Sequence, residues 1–190
     1  MKLKNIILGA ALALAAAAGF AARAYVNAAP HGPAYTFKGR LTTSGRTFDM
    51  TTFAGPDGSM RTIQQADGLR RETVFVPGRG LFARKGDEWV RNTRASVNPA
   101  PPPYGDELAA KLRESEQFVR REEVLGQTAY VLRLDEAGGA YTECYIVPAF
   151  GSRPVRVVTV DAAGRETSRL EPVSITIGGP SRADLRGDFK

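Results

Sequence analysis

Along most of this chain hydrophobic and polar residues alternate in short runs, the two-residue period of half-buried β-strands. Strand candidates fall at 35–42, 47–53, 59–65, 71–76, 81–84 and 88–92, and again at 117–124, 129–134, 140–147, 154–160, 166–170 and 173–177. Within 129–134, Tyr130, Leu132 and Leu134 share a face opposite Ala129, Val131 and Arg133, and Val157 and Val158 point to opposite sides. One face is therefore strongly apolar and the other only partly polar. The breaks between runs carry turn chemistry. Gly55-Pro56-Asp57-Gly58, Pro77-Gly78-Arg79-Gly80 and Lys85-Gly86-Asp87 each separate two strand candidates in hairpin fashion.

The pattern changes once. Residues 98–103 hold four prolines, which cannot donate ladder hydrogen bonds, so the sheet must pause there. Over 104–115, Asp106 and Glu107 suit a first helical turn, and Leu108 and Leu112 lie at i and i+4. So narrow an apolar stripe predicts an amphipathic helix lying on a sheet. The expected fold class is mainly β: a large antiparallel sheet that curls, with its concave side capped by at least one short helix. The apolar volume so enclosed is either filled core or a ligand cavity.

The N-terminus follows a different rule. Lys2 and Lys4 precede an apolar, Ala-rich run over 6–22 that ends at Arg23 among small residues, the layout of a secretory signal peptide. Small-x-small cleavage sites follow Ala24 and Ala28, and an uncleaved anchor is the rival reading. The expected organisation is a signal peptide at 1–24, a flexible segment at 25–34 and one domain at 35–190, exported to the periplasm with the leader cleaved. A lipoprotein is excluded, because lipidation needs a cysteine at the cleavage point and the sole cysteine is Cys144.

The formal charge of +6 includes that leader. Removing Lys2, Lys4 and Arg23 from 26 basic residues leaves 23 against 20 acidic ones, too mild a balance for a nucleic-acid platform. The excess concentrates at Arg70, Arg71, Arg79, Arg84, Lys85, Arg91 and Arg94. That cluster reads either as a solvated strand face or as a patch for an anionic partner.

Candidate chemistry is sparse. The one histidine, His31, sits next to the leader, and Cys144 lies in a strand context, so no His/Cys metal cluster and no hydrolase triad can be assembled. The expected state of Cys144 is buried and inert. Adjacent acidic pairs such as Glu122-Glu123 project to opposite faces of a strand, which excludes a paired-carboxylate site. The expectation is therefore a non-enzymatic binding protein with no catalytic residues, metal or cofactor. Phe75, Phe82 and Trp89 occur on three successive strand candidates and are either core packing or the wall of a cavity for acyl chains.

The layout resembles the LolA-like superfamily of periplasmic proteins, which includes LolA carriers, LolB receptors, LppX-type lipid binders and RseB regulators. The resemblance is carried by Tyr35-Thr-Phe-Lys-Gly-Arg-Leu41, Gly58-Ser-Met-Arg61, Gly86-Asp-Glu-Trp89 and the Pro-rich step into a helix. It continues through Glu123-Val-Leu-Gly-Gln-Thr-Ala-Tyr-Val-Leu132, Tyr145-Ile-Val-Pro148, Arg153-Pro-Val-Arg156 and Ile175-Thr-Ile-Gly178. One element of the family pattern is absent. LolA-type proteins open with an amphipathic helix, whereas here strand signals begin at Tyr35. The resemblance implies an unclosed antiparallel half-barrel of about eleven strands that holds a lipid or lipoprotein acyl chain. It also implies Arg61 as a polar contact, beside Phe75, Phe82 and Trp89 as apolar ones. The alternative it implies is an RseB-like regulatory module acting through a membrane-anchored protein partner.

Overall fold

The computed structural model of the 190-residue chain describes residues 25–27, 34–92, 96–98, 105–151 and 153–189. The expectations for the leader, His31, Arg94 and the prolines at 99–103 lie outside the described residues. Thirteen strands are described: β1 (Tyr25–Asn27), β2 (Tyr35–Thr43), β3 (Arg46–Ala54), β4 (Met60–Ala66), β5 (Leu69–Val76), β6 (Gly80–Lys85), β7 (Glu88–Arg91), β8 (Ser96–Asn98), β9 (Phe118–Val124), β10 (Gln127–Asp135), β11 (Tyr141–Ile146), β12 (Pro154–Val160) and β13 (Glu166–Ile177). Two helices accompany them, α1 (Gly105–Arg113) and α2 (Arg182–Arg186).

Strands β1 and β8 form a small parallel pair. The other eleven make one antiparallel sheet in the order β7-β6-β5-β4-β3-β2-β13-β12-β11-β10-β9. The expected mainly-β, unclosed half-barrel is the fold found: two meanders, β2–β7 and β9–β13, are stitched together where β2 pairs with β13. Three hairpins turn on two residues with positive φ at both positions: Ser44-Gly45 (50° and 73°), Asp67-Gly68 (41° and 76°) and Leu125-Gly126 (52° and 73°). This backbone twists in the same sense as the strands it joins, which locks the register of each hairpin.

Two expected strands, 166–170 and 173–177, are in fact one. Pro172 pairs with Gly39 beside a register irregularity that leaves Val173 without a partner, so β13 bends without ending. Opposite it sits Gly39, where a Cβ would lie 2.7 Å from the Phe37 ring and 2.8 Å from the Glu171 carbonyl oxygen. The kink is packed on both strands.

Register sorts the side chains onto two faces. The inner face carries Phe37 and Leu41 on β2, Phe48 and Met50 on β3, Tyr130, Leu132 and Leu134 on β10, and Cys144 and Ile146 on β11. Leu108 and Leu112 of α1 are fully buried in the same cluster, as their spacing predicts. Burying each contributes about 1.5–3 kcal/mol, far more than the intrinsic stability of so short a helix. The turn 148–150 also packs over this face, with Phe150 6.5 Å from Tyr35 between ring centroids. Arg153 just beyond it meets the sulfur of Met60 on β4, so the sheet curls enough to bring its two meanders together. Helix α2 lies on the opposite, outer face, against β3 and β4.

Candidate functional site

The half of the sheet formed by β4–β7 receives every residue that the sequence nominates for binding, but on two different faces. Phe75 pairs with Met60 and Leu81 across its neighbours and points inward, where these three form a small apolar cluster of their own. Phe82 pairs with Val74 and Trp89 with Arg84, so both point outward. The single aromatic wall expected from the three residues is therefore not formed. The β5–β6 connection sets Phe75 opposite Leu81, and that register places Phe82 on the other side.

Inside, β4–β7 present Thr62 and Thr73 as neighbours, with Phe75 and Leu81 beside them. Leu69 and Val90 lie on the same face and are each 39% exposed. Helix α1 packs on β10 and the 148–150 turn. On the same face Ile177, at the end of β13, is also exposed, at 52%.

Outside, the surface is built around one carboxylate. Glu72 is buried, its side chain 1% exposed, and three guanidinium groups surround it. Arg61 donates from Nε to Glu72 Oε1, Arg70 from Nη2 to Oε2 at 3.2 Å, and Arg84 Nη1 lies 3.9 Å from Oε2. Charge balance makes this burial tolerable. Arg61, nominated as a ligand contact, also donates from Nη1 to the Ala183 and Asp184 carbonyl oxygens of α2, at 3.4 and 3.2 Å. It clamps this helix to the sheet.

The segment 181–189 completes the surface. Ser181 caps α2, its hydroxyl accepting from the Asp184 amide while the Asp184 carboxylate accepts from Ser181, and that bond holds the Asp184 carboxyl below its ordinary range. Asp188 accepts from Trp89 Nε1 at 3.2 Å and pairs with Arg84 at 2.9 Å. Phe189 is buried among Val74, Val76, Phe82 and Trp89, with its ring 4.7 Å from that of Phe82 and edge-on to Trp89 at 5.4 Å. The Arg79 guanidinium stands 4.8 Å from its centroid. Gly187, at φ 58°, passes so close to Arg61 that a Cβ there would lie 2.7 Å from the guanidinium.

The basic cluster seen in the sequence is thus largely engaged. Arg70 and Arg84 balance Glu72, Arg79 covers the two phenylalanine rings, and Arg71 stands on the inner face over Phe48 at 5.3 Å. Sequence reasoning missed Glu72 and Phe189. The available signals were the Ser181-x-x-Asp184 capping pattern and the Asp188-Phe189 pair beyond it.

The opposite half of the outer face is a lattice of charges. Arg120 donates to both Glu143 oxygens at 2.8 and 2.9 Å and to the Tyr145 hydroxyl at 3.0 Å. Arg156 bridges Glu171 and Glu122, and Arg169 joins Glu171 to Glu166. The Arg120 hydrogen bonds hold the Glu143 carboxyl below its usual range. Burial, then the hydrogen bond to Glu143, pushes the Tyr145 phenol up to about 12. On the inner side of the same strand, Cys144 is fully buried and its thiol is pushed up to about 12 by desolvation. Among the described residues no group of three His, Cys, Asp or Glu side chains is placed to hold a metal ion, and no helix is long and apolar enough to cross a membrane.

No family model and no curated protein matches the sequence. Solved structures do match the fold. MucB in complex with MucA(peri) aligns with a TM-score of 0.54 at 19% identity, over 81% of this chain and 54% of that one. The MucA/MucB complex of Pseudomonas aeruginosa aligns with 0.55 at 17% identity, over 80% and 55%. An uncharacterized conserved protein from Thermus thermophilus aligns with 0.52 at 18% identity, over 81% and 83%. The chain spans about half the length of the MucB chains it matches. These likenesses establish the fold alone, an open antiparallel sheet shared with the MucB chains.

Proposed function

We propose that this chain is a periplasmic, non-enzymatic binding module that holds the acyl chain of a lipid or lipoprotein against the inner face of β4–β7. One observation carries the reading. Helix α1 packs Leu108 and Leu112 into the core beside β10, whereas on the inner face of β4–β7 Val90 stays 39% exposed in line with Ala83, Thr73 and Thr62, next to the buried Phe75 and Leu81. Apolar side chains with a few hydroxyls are what an alkyl chain and the polar group at its end require. Phe75 belongs to that surface, while Phe82, Trp89 and Arg61 serve the outer one.

Titration with an apolar fluorescent probe tests this reading. The wild-type chain binds the probe at micromolar levels and releases it to phospholipid or an acylated peptide. Thr73→Asp, on the inner face, abolishes binding, and Thr36→Asp, on the outer face of β2, does not. Equal binding by both variants, or none by the wild type, contradicts the reading.

A second reading has its own support, since MucB was crystallised with MucA(peri). On that reading the module docks a membrane-anchored protein partner, and the inner face is where an apolar segment of that partner lies.

A further inference from the structure

The outer face of β4–β7 and the segment 181–189 make an interface within one chain whose chemistry is that of peptide recognition. We propose that this surface is a docking groove for a protein partner's segment bearing an acidic residue immediately before an aromatic one, and that 181–189 is its resident competitor.

The groove recognises specific features. An aromatic ring enters between Phe82 and Trp89 under the Arg79 guanidinium, and the carboxylate before it meets Trp89 Nε1 and Arg84 together. Two backbone carbonyls of the docked segment are read by Arg61. These donors are organised from beneath by buried Glu72, which fixes Arg61 and Arg84 where they stand. Charge complementarity specifies the occupant: the groove is cationic and aromatic, so it takes an acidic, aromatic segment. A segment meant only to stay in place is held at least as well by apolar packing, because a buried charge cluster carries a desolvation cost that apolar side chains of similar volume avoid.

The resident segment is built to leave. Helix α2 has five residues, none of them buried, and a helix so short has no stability away from its groove. Phe189 is the one deeply inserted side chain of 181–189. The connection from β13 runs through Gly178-Gly179-Pro180, which adds no packing of its own around the two glycines. Tethering gives the segment an effective concentration on the order of millimolar, so a partner segment must exceed that to bind.

Trp89 is the only tryptophan of the chain and touches Phe189, so its emission reports occupancy directly. The test uses the full chain carrying Asp188→Asn and Phe189→Ala, with a synthetic peptide of residues 180–190 as probe. Saturable change in Trp89 emission is expected, with affinity at least tenfold greater than for the wild-type chain, and at least tenfold lost when the peptide lacks its Asp or its Phe. A second measurement needs no variant: in the wild type, amides of 182–189 should exchange with solvent faster than those of β4–β6. Absence of saturable binding to a folded variant, indifference to the peptide's Asp and Phe, or exchange of 182–189 only with global unfolding would overturn the proposal. Concentration-dependent dimers made by exchange of 181–189 would overturn it as well, in favour of a second copy as the occupant.

Discussion

Compare the two meanders of the sheet. Across β9–β13 the middle of the sheet is served locally: α1 packs inside, and outside Arg120, Glu143, Arg156 and Glu171 satisfy one another from strand to strand, while the exposed Val119, Leu125, Val173 and Ile177 fall at strand ends, a hairpin turn and irregularities of register. Across β4–β7 neither face is completed by the strands alone. The inner face leaves Leu69 and Val90 part-exposed, and the outer face holds a buried carboxylate and two aromatic side chains that depend on a segment from beyond β13. The difference separates stability from binding. A half that closes on itself holds the fold, and a half that borrows its cover has surface to offer.

Substitutions of equivalent carboxylates sharpen that comparison most. Glu72→Ala leaves the largely buried Arg61 guanidinium without its carboxylate, while Arg84 keeps Asp188, and should cost about 3 kcal/mol, read by chemical denaturation with α2 lost first. Phe189→Ala should cost less, about 1–2 kcal/mol, because the segment opens locally instead of leaving a permanent cavity. Its signature is a red shift of Trp89 emission with unchanged β-type circular dichroism. Glu143→Ala, in the self-satisfied lattice, should cost about 1 kcal/mol, because its partners keep other partners and solvent. An equal loss for Glu72→Ala and Glu143→Ala would break the comparison.

The smallest effects are pH-dependent and belong to β11. Glu143 has a folded pKa below its ordinary 4.5, so its contribution is complete above that value and is lost as pH falls through the folded one. Tyr145 is shifted from 10 to about 12, so its contribution is complete below pH 10 and is lost as pH rises toward 12. Glu143→Gln should flatten the acid limb of the stability profile and weaken the alkaline one, and Tyr145→Phe should remove the alkaline limb and slightly reduce the acid one, because the Tyr145 hydroxyl donates to Glu143.

The legible parts of this chain are those set by local period. Leu108 and Leu112 announce the buried stripe of α1, Tyr130, Leu132 and Leu134 announce the inner face of β10, and the strand context of Cys144 announces its burial. What depends on register across a turn was not legible. Phe75 and Phe82 lie on neighbouring strands, and only the β5–β6 pairing decides that they part. Pro172 reads as a strand end, and only its placement at the bulge opposite Gly39 lets β13 continue. Glu72 reads as one more charge on a solvated strand face, because the Arg61 that covers it is itself held by a segment more than one hundred positions later in sequence, at Ala183 and Asp184.

Hydrogen exchange of the wild-type protein, with and without a bound single-chain phospholipid, measures the division of labour most directly. Without ligand, amides of β10–β12 and α1 should exchange slowest and those of β5–β7 fastest within the sheet, and the lipid should slow exchange in β4–β7 alone. Uniform protection across the sheet, or lipid protection centred on β10–β12 beneath α1, would contradict it.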